Sequence, residues 1–81
     1  MLSEDELANH LRNGRSYREI AEAESTTKRK VQLAVDRLRA LLAAKTGNTA
    51  FLTEANPVEV GRAWFGEELE NEALWTRRGD S

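Results

Sequence analysis

Signatures for the start of a helix recur along this sequence, and they constrain its fold more than any other feature. Ser3–Glu6 and Ser16–Glu19 both read S-x-x-E. In this capping box, each of the two side chains accepts a hydrogen bond from the backbone N–H of the other residue. Gly14 lies between the two boxes, and glycine is the typical residue of left-handed conformation at the end of an α-helix. The sequence therefore predicts one helix over about 4–12 and a second over about 17–23.

The third predicted helix is the longest, and either Thr26 or Thr27 can cap its start. Apolar residues recur there at steps of three and four, which defines one buried stripe. The stripe consists of Val31, Ala34, Val35, Leu38, Leu41 and Leu42. The opposite face carries Arg29, Gln32, Leu33, Asp36, Arg37 and Ala40. We expect this helix to run from about Lys28 to Ala44 and to end before Gly47.

The pattern after the third helix is weaker. Residues 46–56 form either a loop or a short helix over 49–55. A further helix start lies at Asn56, which is followed by proline and by a glutamate at the third helical position. Gly66 either ends or weakens this helix. The apolar residues expected to pack inward are Val60, Trp64, Phe65, Leu69, Leu74 and Trp75. The alternative for Trp64, Phe65 and Trp75 is an exposed apolar patch that binds a second copy or a host protein.

These elements predict an all-α fold, a small helical bundle of about four to five helices that contains a helix-turn-helix. Residues 1–50 form the helix-turn-helix domain. Residues 51–81 form a C-terminal helical extension that either packs on this domain or mediates association. No segment has the alternation of a strand.

The composition excludes several classes of function. The chain has 81 residues, no cysteine and one histidine, His10, which excludes disulfides and thiolate metal sites. A deep catalytic pocket is hard to build at this length. No apolar run approaches the roughly 20 residues of a membrane span, and no signal peptide is recognisable. We expect a cytoplasmic protein that is not an enzyme, needs no cofactor and contacts no membrane. His10 is expected to be an inert surface residue without a functional role.

Charge is distributed unevenly, although the net charge is only −2. Residues 28–45 carry six cations against one acid, Asp36, whereas the chain from Thr46 onward is mainly acidic. The macrodipole disfavours cations at the start of a helix by about 0.3–1 kcal/mol each. The run Lys28–Lys30 therefore indicates a ligand that supplies negative charge, because local fields steer an anionic partner more than net charge does.

A short helix, a turn and a longer cationic helix match the helix-turn-helix plan, in which the second helix enters the major groove of DNA. The sequence therefore predicts a sequence-specific binding protein for double-stranded DNA. The helix N-termini at Ser16 and Thr27 offer N–H groups to phosphates. Further phosphate contacts are expected from Lys28, Lys30 and Arg39, and base contacts from Arg29, Gln32, Leu33 and Arg37.

The same residues carry a resemblance to a known family. The run Gly14-x-Ser16-x-x-Glu19-Ile20-Ala21, followed by Thr27 and Val31, resembles the G-x-S-x-x-E-I-A…S-x-x-T-V signature of LuxR/GerE-type helix-turn-helix domains. The run Arg37-Leu38-Arg39-Ala40-Leu41-Leu42 is also similar to a helix end in region four of sigma factors, which belong to the same superfamily. The resemblance extends over about residues 3–50.

The resemblance implies that the third helix binds DNA, often in dimers formed through a fourth helix. Thr27 would cap the recognition helix, and the residues facing DNA would be Lys28, Arg29, Lys30, Gln32, Leu33 and Arg37. The sequence departs from the family at Glu24, where a buried leucine is usual, and at Thr26, where an apolar residue is common. Because a buried unpaired carboxylate is costly, either Glu24 turns outward or the turn has a different shape.

Several alternatives remain open at this point. The chain is either a DNA-binding regulator of a bacterium or phage, or an accessory protein that uses the same scaffold to bind a host protein. A homodimer is expected to form, if at all, through residues 49–75. Leu33 is either an isolated exposed leucine or a contact to a thymine methyl group or a partner. The acidic run Glu67–Glu72 is either a solubilising surface or an intramolecular cover for the basic helix.

Overall fold

The computed structural model describes residues 2–71 and residue 74. These residues form five α-helices and no strand, which confirms the predicted all-α bundle. In chain order the helices are α1 (Glu4–Arg12), α2 (Tyr17–Ala23), α3 (Lys28–Thr46), α4 (Ala50–Thr53) and α5 (Pro57–Trp64). The segment predicted as either a loop or a helix over 49–55 contains the shorter helix α4.

Capping boxes begin three of the helices, as the sequence predicts. Ser3 caps α1, Ser16 caps α2 and Asn56 caps α5, and in each case the reciprocal glutamate bond is present. For α2, the Glu19 N–H donates to Ser16 Oγ at 3.1 Å and the Ser16 N–H donates to Glu19 Oε1 at 2.8 Å. These bonds satisfy backbone donors that have no partner inside a helix.

The ends of α1, α2 and α5 share one motif. In each, the residue after the C-cap has a positive φ, and two N–H groups bond back to carbonyls of the last turn, which is the Schellman arrangement. Glycine holds this position after α1 (Gly14, φ +78) and after α5 (Gly66, φ +74). After α2 the residue is Ser25, with φ +54. The turn between α2 and α3 is therefore closed by a non-glycine residue in the left-handed region.

Helix α3 buries the predicted stripe with one exception. Val31, Val35, Leu38 and Leu42 are buried, and Ala34 is half-buried. Leu41 was expected to be buried but is 38% exposed. Its position lies at the edge of the stripe, and Ala43 is buried in its place. The helix continues to Thr46, beyond the predicted end at Ala44, and stops at the left-handed Gly47.

Helix α5 packs on α1, and Gly61 is the point of closest approach. A Cβ atom on Gly61 would lie 2.5 Å from both the Ala8 carbonyl oxygen and the Arg12 nitrogen. Because only a residue without Cβ permits this distance, Gly61 fixes how α5 lies on α1. Phe51 and Val60 are buried with the apolar residues of α1 and α3, so the segment after residue 50 contributes to the same core.

The aromatic residues at the end of α5 have different surroundings. Trp64 packs against the core, its Nε1–H donates to Asp5 Oδ1 at 2.7 Å, and the Lys45 ammonium lies 5.3 Å from its ring centre. Phe65 was expected to pack inward but is 44% exposed, with the Arg12 guanidinium 5.4 Å from its ring centre. Phe65 is the C-cap of α5, and the chain turns at Gly66, which has a φ of +74.

The chain beyond α5 continues along the side of the bundle formed by α1 and α5. Glu67 pairs with Arg12 and with Arg62, whose Nε lies 3.3 Å from Glu67 Oε1. Leu69 and Leu74 are buried as predicted. Trp75 and part of the acidic run Glu67–Glu72 lie outside the described residues.

Candidate nucleic-acid interface

The candidate interface is the outer surface of α3, and the turn before it sets its start. Residues 24–27 connect α2 to α3, and the two helices pack on each other. Thr27 adopts extended backbone and its Oγ1 accepts a hydrogen bond from the Lys30 N–H at 3.1 Å. Thr27 is therefore the N-cap of α3, one of the two threonines that the sequence offers for this role.

Most of the predicted site residues lie together on this helix and its cap. All of the following are exposed: Thr27, Lys28, Arg29, Lys30, Gln32, Leu33 and Arg37. Leu33 has the highest exposure among the large apolar residues of the described chain, at 57%. Because Val31, Val35 and Leu38 anchor the opposite side of the helix in the core, this exposed surface is held on a rigid element. We refer to Arg29, Gln32, Leu33, Asp36 and Arg37 as the outer face of α3.

The first turn of α3 differs in charge from the first turns of the other side-chain-capped helices. Those of α1, α2 and α5 each contain glutamate, and a glutamate at the third helical position closes the capping box. The corresponding residue of α3 is Lys30, and its first turn contains no acid. Three cations thus stand at the positive end of the helix dipole, where they repel one another and the helix N-terminus. A bound anion would relieve this repulsion.

Arg39 does not belong to the exposed surface. It is half-buried, and its guanidinium Nη1 donates to the Phe51 carbonyl at 3.1 Å and to the Ala55 carbonyl at 2.5 Å. These carbonyls lie in and just after α4, where intrahelical partners are missing. The structure therefore shows Arg39 holding α4 on α3; its phosphate contact stays a prediction.

Ser16 is exposed but lies on α2, apart from the α3 surface. Its N–H and its hydroxyl oxygen are both used in the capping box with Glu19. The hydroxyl hydrogen remains as the donor that Ser16 itself can offer to a phosphate.

A chain of polar contacts that no sequence motif reveals supports the turn. Glu24 is half-buried, and its carboxylate lies 2.9 Å from His10 Nε2, while Arg15 Nη1 lies 3.0 Å from His10 Nδ1. A guanidinium can only donate, so Nδ1 accepts and Nε2–H donates to Glu24. His10, which was expected to be inert surface, therefore ties α1 to the α2–α3 turn. It also gives a partner to the carboxylate that stands where the LuxR/GerE pattern has leucine.

A shallow cleft borders the outer face where the N-terminal turn of α1 approaches α3. Its lining residues are Leu2, Ser3, Glu4, Leu7, Leu33, Ala34 and Arg37. The first turn of α1 is acidic, with Glu4, Asp5 and Glu6. A carboxylate therefore borders the outer face near Arg37, just as Glu24 shares a cleft with Lys30 at the first turn.

Two further observations concern the described part of the chain. Residues 2–71 and 74 contain no group of three histidine or carboxylate side chains placed to hold a metal ion. None of the helices formed by these residues combines the length and the apolar character that crossing a membrane requires.

Comparison of the chain with models of known protein families, with curated protein sequences and with solved structures found no match. The resemblance to LuxR/GerE-type domains therefore stays a prediction that depends on the quoted residues.

Proposed function

We propose that this protein is a sequence-specific DNA-binding protein, a small transcriptional regulator that acts in the cytoplasm of a bacterium or of a phage's host. The observation that carries the proposal is the cationic first turn of α3, exposed at the start of a helix whose opposite side is anchored in the core. DNA phosphates supply the negative charge that this turn lacks.

In the proposed complex, α3 lies in the major groove and α2 crosses the backbone, as in other helix-turn-helix proteins. Lys28 and Lys30 contact phosphates and supply affinity that falls with salt. Arg29, Gln32 and Arg37 have side chains that pair with base edges in this groove. The His10–Glu24 contact holds the turn, and thereby the angle at which α3 enters the groove.

A single domain of this size has a small surface for DNA, so two half-sites read by a homodimer would raise its affinity. Dimerisation through residues 49–75 stays a prediction. The large apolar residues exposed in the described part of this range are Leu52, Val58 and Phe65.

The test is binding to random-sequence duplex DNA over a range of salt concentrations, for the wild type and for Lys28→Ala/Lys30→Ala. We expect salt-sensitive binding by the wild type. For the double variant, the slope of log K against log salt should decrease in magnitude by about two, one for each lost phosphate contact. Far-UV circular dichroism establishes that both proteins are folded.

Two control variants separate a specific contact from net charge. Lys28→Arg/Lys30→Arg keeps both charges and should bind like the wild type. Lys45→Ala removes a cation from the last turn of the same helix, about 25 Å away at 1.5 Å per residue, and should leave the slope unchanged. Absence of binding by the wild type at low salt would refute the proposed function, as would equal slopes for the wild type and the double alanine variant.

The second candidate function is binding to a host protein, and the acidic turn of α1 beside the outer face favours it. Glu4 lines the same cleft as Leu33 and Arg37, so an approaching phosphate backbone meets a carboxylate there. An exposed leucine between charges of both signs is a surface that a protein partner can cover. Recovery of one stoichiometric protein partner from nuclease-treated lysate, together with no DNA binding by the purified chain, would favour this function.

A further inference from the structure

Leu33 projects more directly away from the core than the charged residues beside it. Helical residues advance by about 100° each, so Leu33 lies about 200° around α3 from Val31. Val31, Leu38 and Leu42 mark the centre of the buried side, with exposures of 0–1%. Leu33 is therefore almost opposite to the core, whereas Gln32 and Arg37 lie further round the helix on either side.

Two arginines flank Leu33 along the same ridge of the helix. Arg29 and Arg37 are four residues before and after it, and residues at this spacing are neighbours on a helix surface. Arginine side chains are longer than leucine and can donate hydrogen bonds, whereas leucine cannot. A surface that faces α3 thus meets one apolar group at the centre, with one cation before it and one after it along the ridge, and the exposed carboxylate of Asp36 beside them.

The major groove offers few partners for an apolar side chain. The base edges there carry hydrogen-bond donors and acceptors, and the apolar group among them is the C5 methyl of thymine. If α3 enters the groove by its outer face, the residue opposite the core is the one whose Cα–Cβ bond points most directly toward the bases. A leucine at that position leaves polar base edges unpaired unless a methyl group lies against it.

From this placement we propose that Leu33 reads a thymine by contact with its C5 methyl group, with Arg29 and Arg37 pairing with bases or phosphates on either side. This inference rests on the proposed function, since it requires α3 to lie in the major groove. It adds the chemical group recognised at the centre of the site, and it makes Leu33 a specificity-determining residue.

The experiment removes the methyl group alone. A preferred duplex is first selected from random sequence with the full-length protein. Each thymine of the selected site is then replaced, one at a time, by deoxyuridine, which keeps base pairing and lacks only the methyl group. Dissociation constants are measured for the wild type, for Leu33→Ala and for Leu41→Ala. Leu41 is an exposed leucine further along α3 and serves as the matched control.

For the wild type we expect one thymine, or one in each half-site, whose replacement by deoxyuridine raises Kd about fourfold. This is the change in Kd that corresponds to the burial of one methyl group. Leu33→Ala should bind the thymine and deoxyuridine duplexes equally at that position, and Leu41→Ala should keep the wild-type sensitivity. This coupling is the signature of a direct contact.

If the wild type shows salt-sensitive DNA binding that depends on Lys28 and Lys30, the proposed function stands. Three results would then overturn only the inference about Leu33. They are a selected site without thymine, a wild type that is insensitive at every position, and a Leu33→Ala variant that keeps the wild-type sensitivity. Absence of salt-sensitive DNA binding by the wild type would overturn both.

Discussion

Gly61 provides the most direct test of the described packing, because the sequence and the structure predict opposite effects for Gly61→Ala. Alanine is favoured over glycine in a helix interior by about 1 kcal/mol, and Gly61 is interior to α5. On local grounds alone, the substitution should stabilise the protein. In the structure, however, the new Cβ would lie 2.5 Å from the Ala8 carbonyl oxygen and from the Arg12 nitrogen.

The size of the effect follows from how these contacts can be relieved. Ordinary contact begins at 3.4 Å, so α1 and α5 must separate by about 0.9 Å at this point. Both opposing atoms belong to the backbone, so a change of side-chain rotamer cannot relieve the clash. Overpacking of this kind costs about 1–3 kcal/mol, and separation of the helices also loosens the packing of Val60. Two backbone contacts must be relieved together, so the cost lies at the upper end of this range. After the gain of about 1 kcal/mol in helix propensity, we expect a net loss of about 2 kcal/mol.

The assay is urea and thermal unfolding followed by far-UV circular dichroism. A loss of about 2 kcal/mol lowers Tm by about 8–16 °C in a domain of this size. Val58→Ala, on the exposed side of the same helix, is the control and should change the free energy of unfolding by less than about 0.5 kcal/mol. Adding Ala8→Gly to Gly61→Ala should give no rescue, because the clash is with the carbonyl oxygen rather than with the Ala8 side chain.

A Gly61→Ala protein as stable as the wild type, or more stable, would refute the described contact between α1 and α5. Rescue by Ala8→Gly would also contradict the geometry, since it would assign the clash to a methyl group instead of the backbone.

Two further predictions concern the turn before α3 and the arginine that holds α4. Ser25→Gly should raise the free energy of unfolding by about 0.5–1 kcal/mol, because the left-handed φ of Ser25 costs more than the added freedom of glycine in the unfolded chain. Gly14→Ser, the reverse change in the same motif after α1, should lower the free energy of unfolding. Urea unfolding measures this free energy for both variants. A loss of stability in Ser25→Gly would contradict the strain at Ser25. Arg39→Met should lower stability by about 1–2 kcal/mol, because it leaves the Phe51 and Ala55 carbonyls without their donor, while DNA binding keeps its salt slope. Unchanged stability with a smaller slope would instead assign Arg39 to phosphate binding.

The location of the candidate site could be predicted because it depends on short-range patterns. The stripe of Val31, Val35 and Leu38 identifies the side of α3 that faces the core, and the outer face follows from helical geometry. The cap at Thr27 is a local feature as well, since its partner N–H is three residues away. These features place the cations of the first turn on the surface without knowledge of any other helix.

Other parts of the site depend on residues that are distant in the sequence. His10 and Glu24 are 14 residues apart, and no local pattern pairs them. Arg39 resembles the exposed cations near it in sequence, and only the position of α4 brings carbonyl oxygens within its reach.

Local sequence patterns predict where α1, α2 and α5 begin and where α1 and α2 end, because caps and left-handed stops act over about four residues, the range of one helical turn. Which helix lies opposite each surface depends on contacts between helices. The approach of α5 onto α1 requires glycine at position 61, Leu41 stays exposed, and Arg39 is directed to α4. These outcomes depend on contacts between elements far apart in the chain, whose relative position no local pattern encodes.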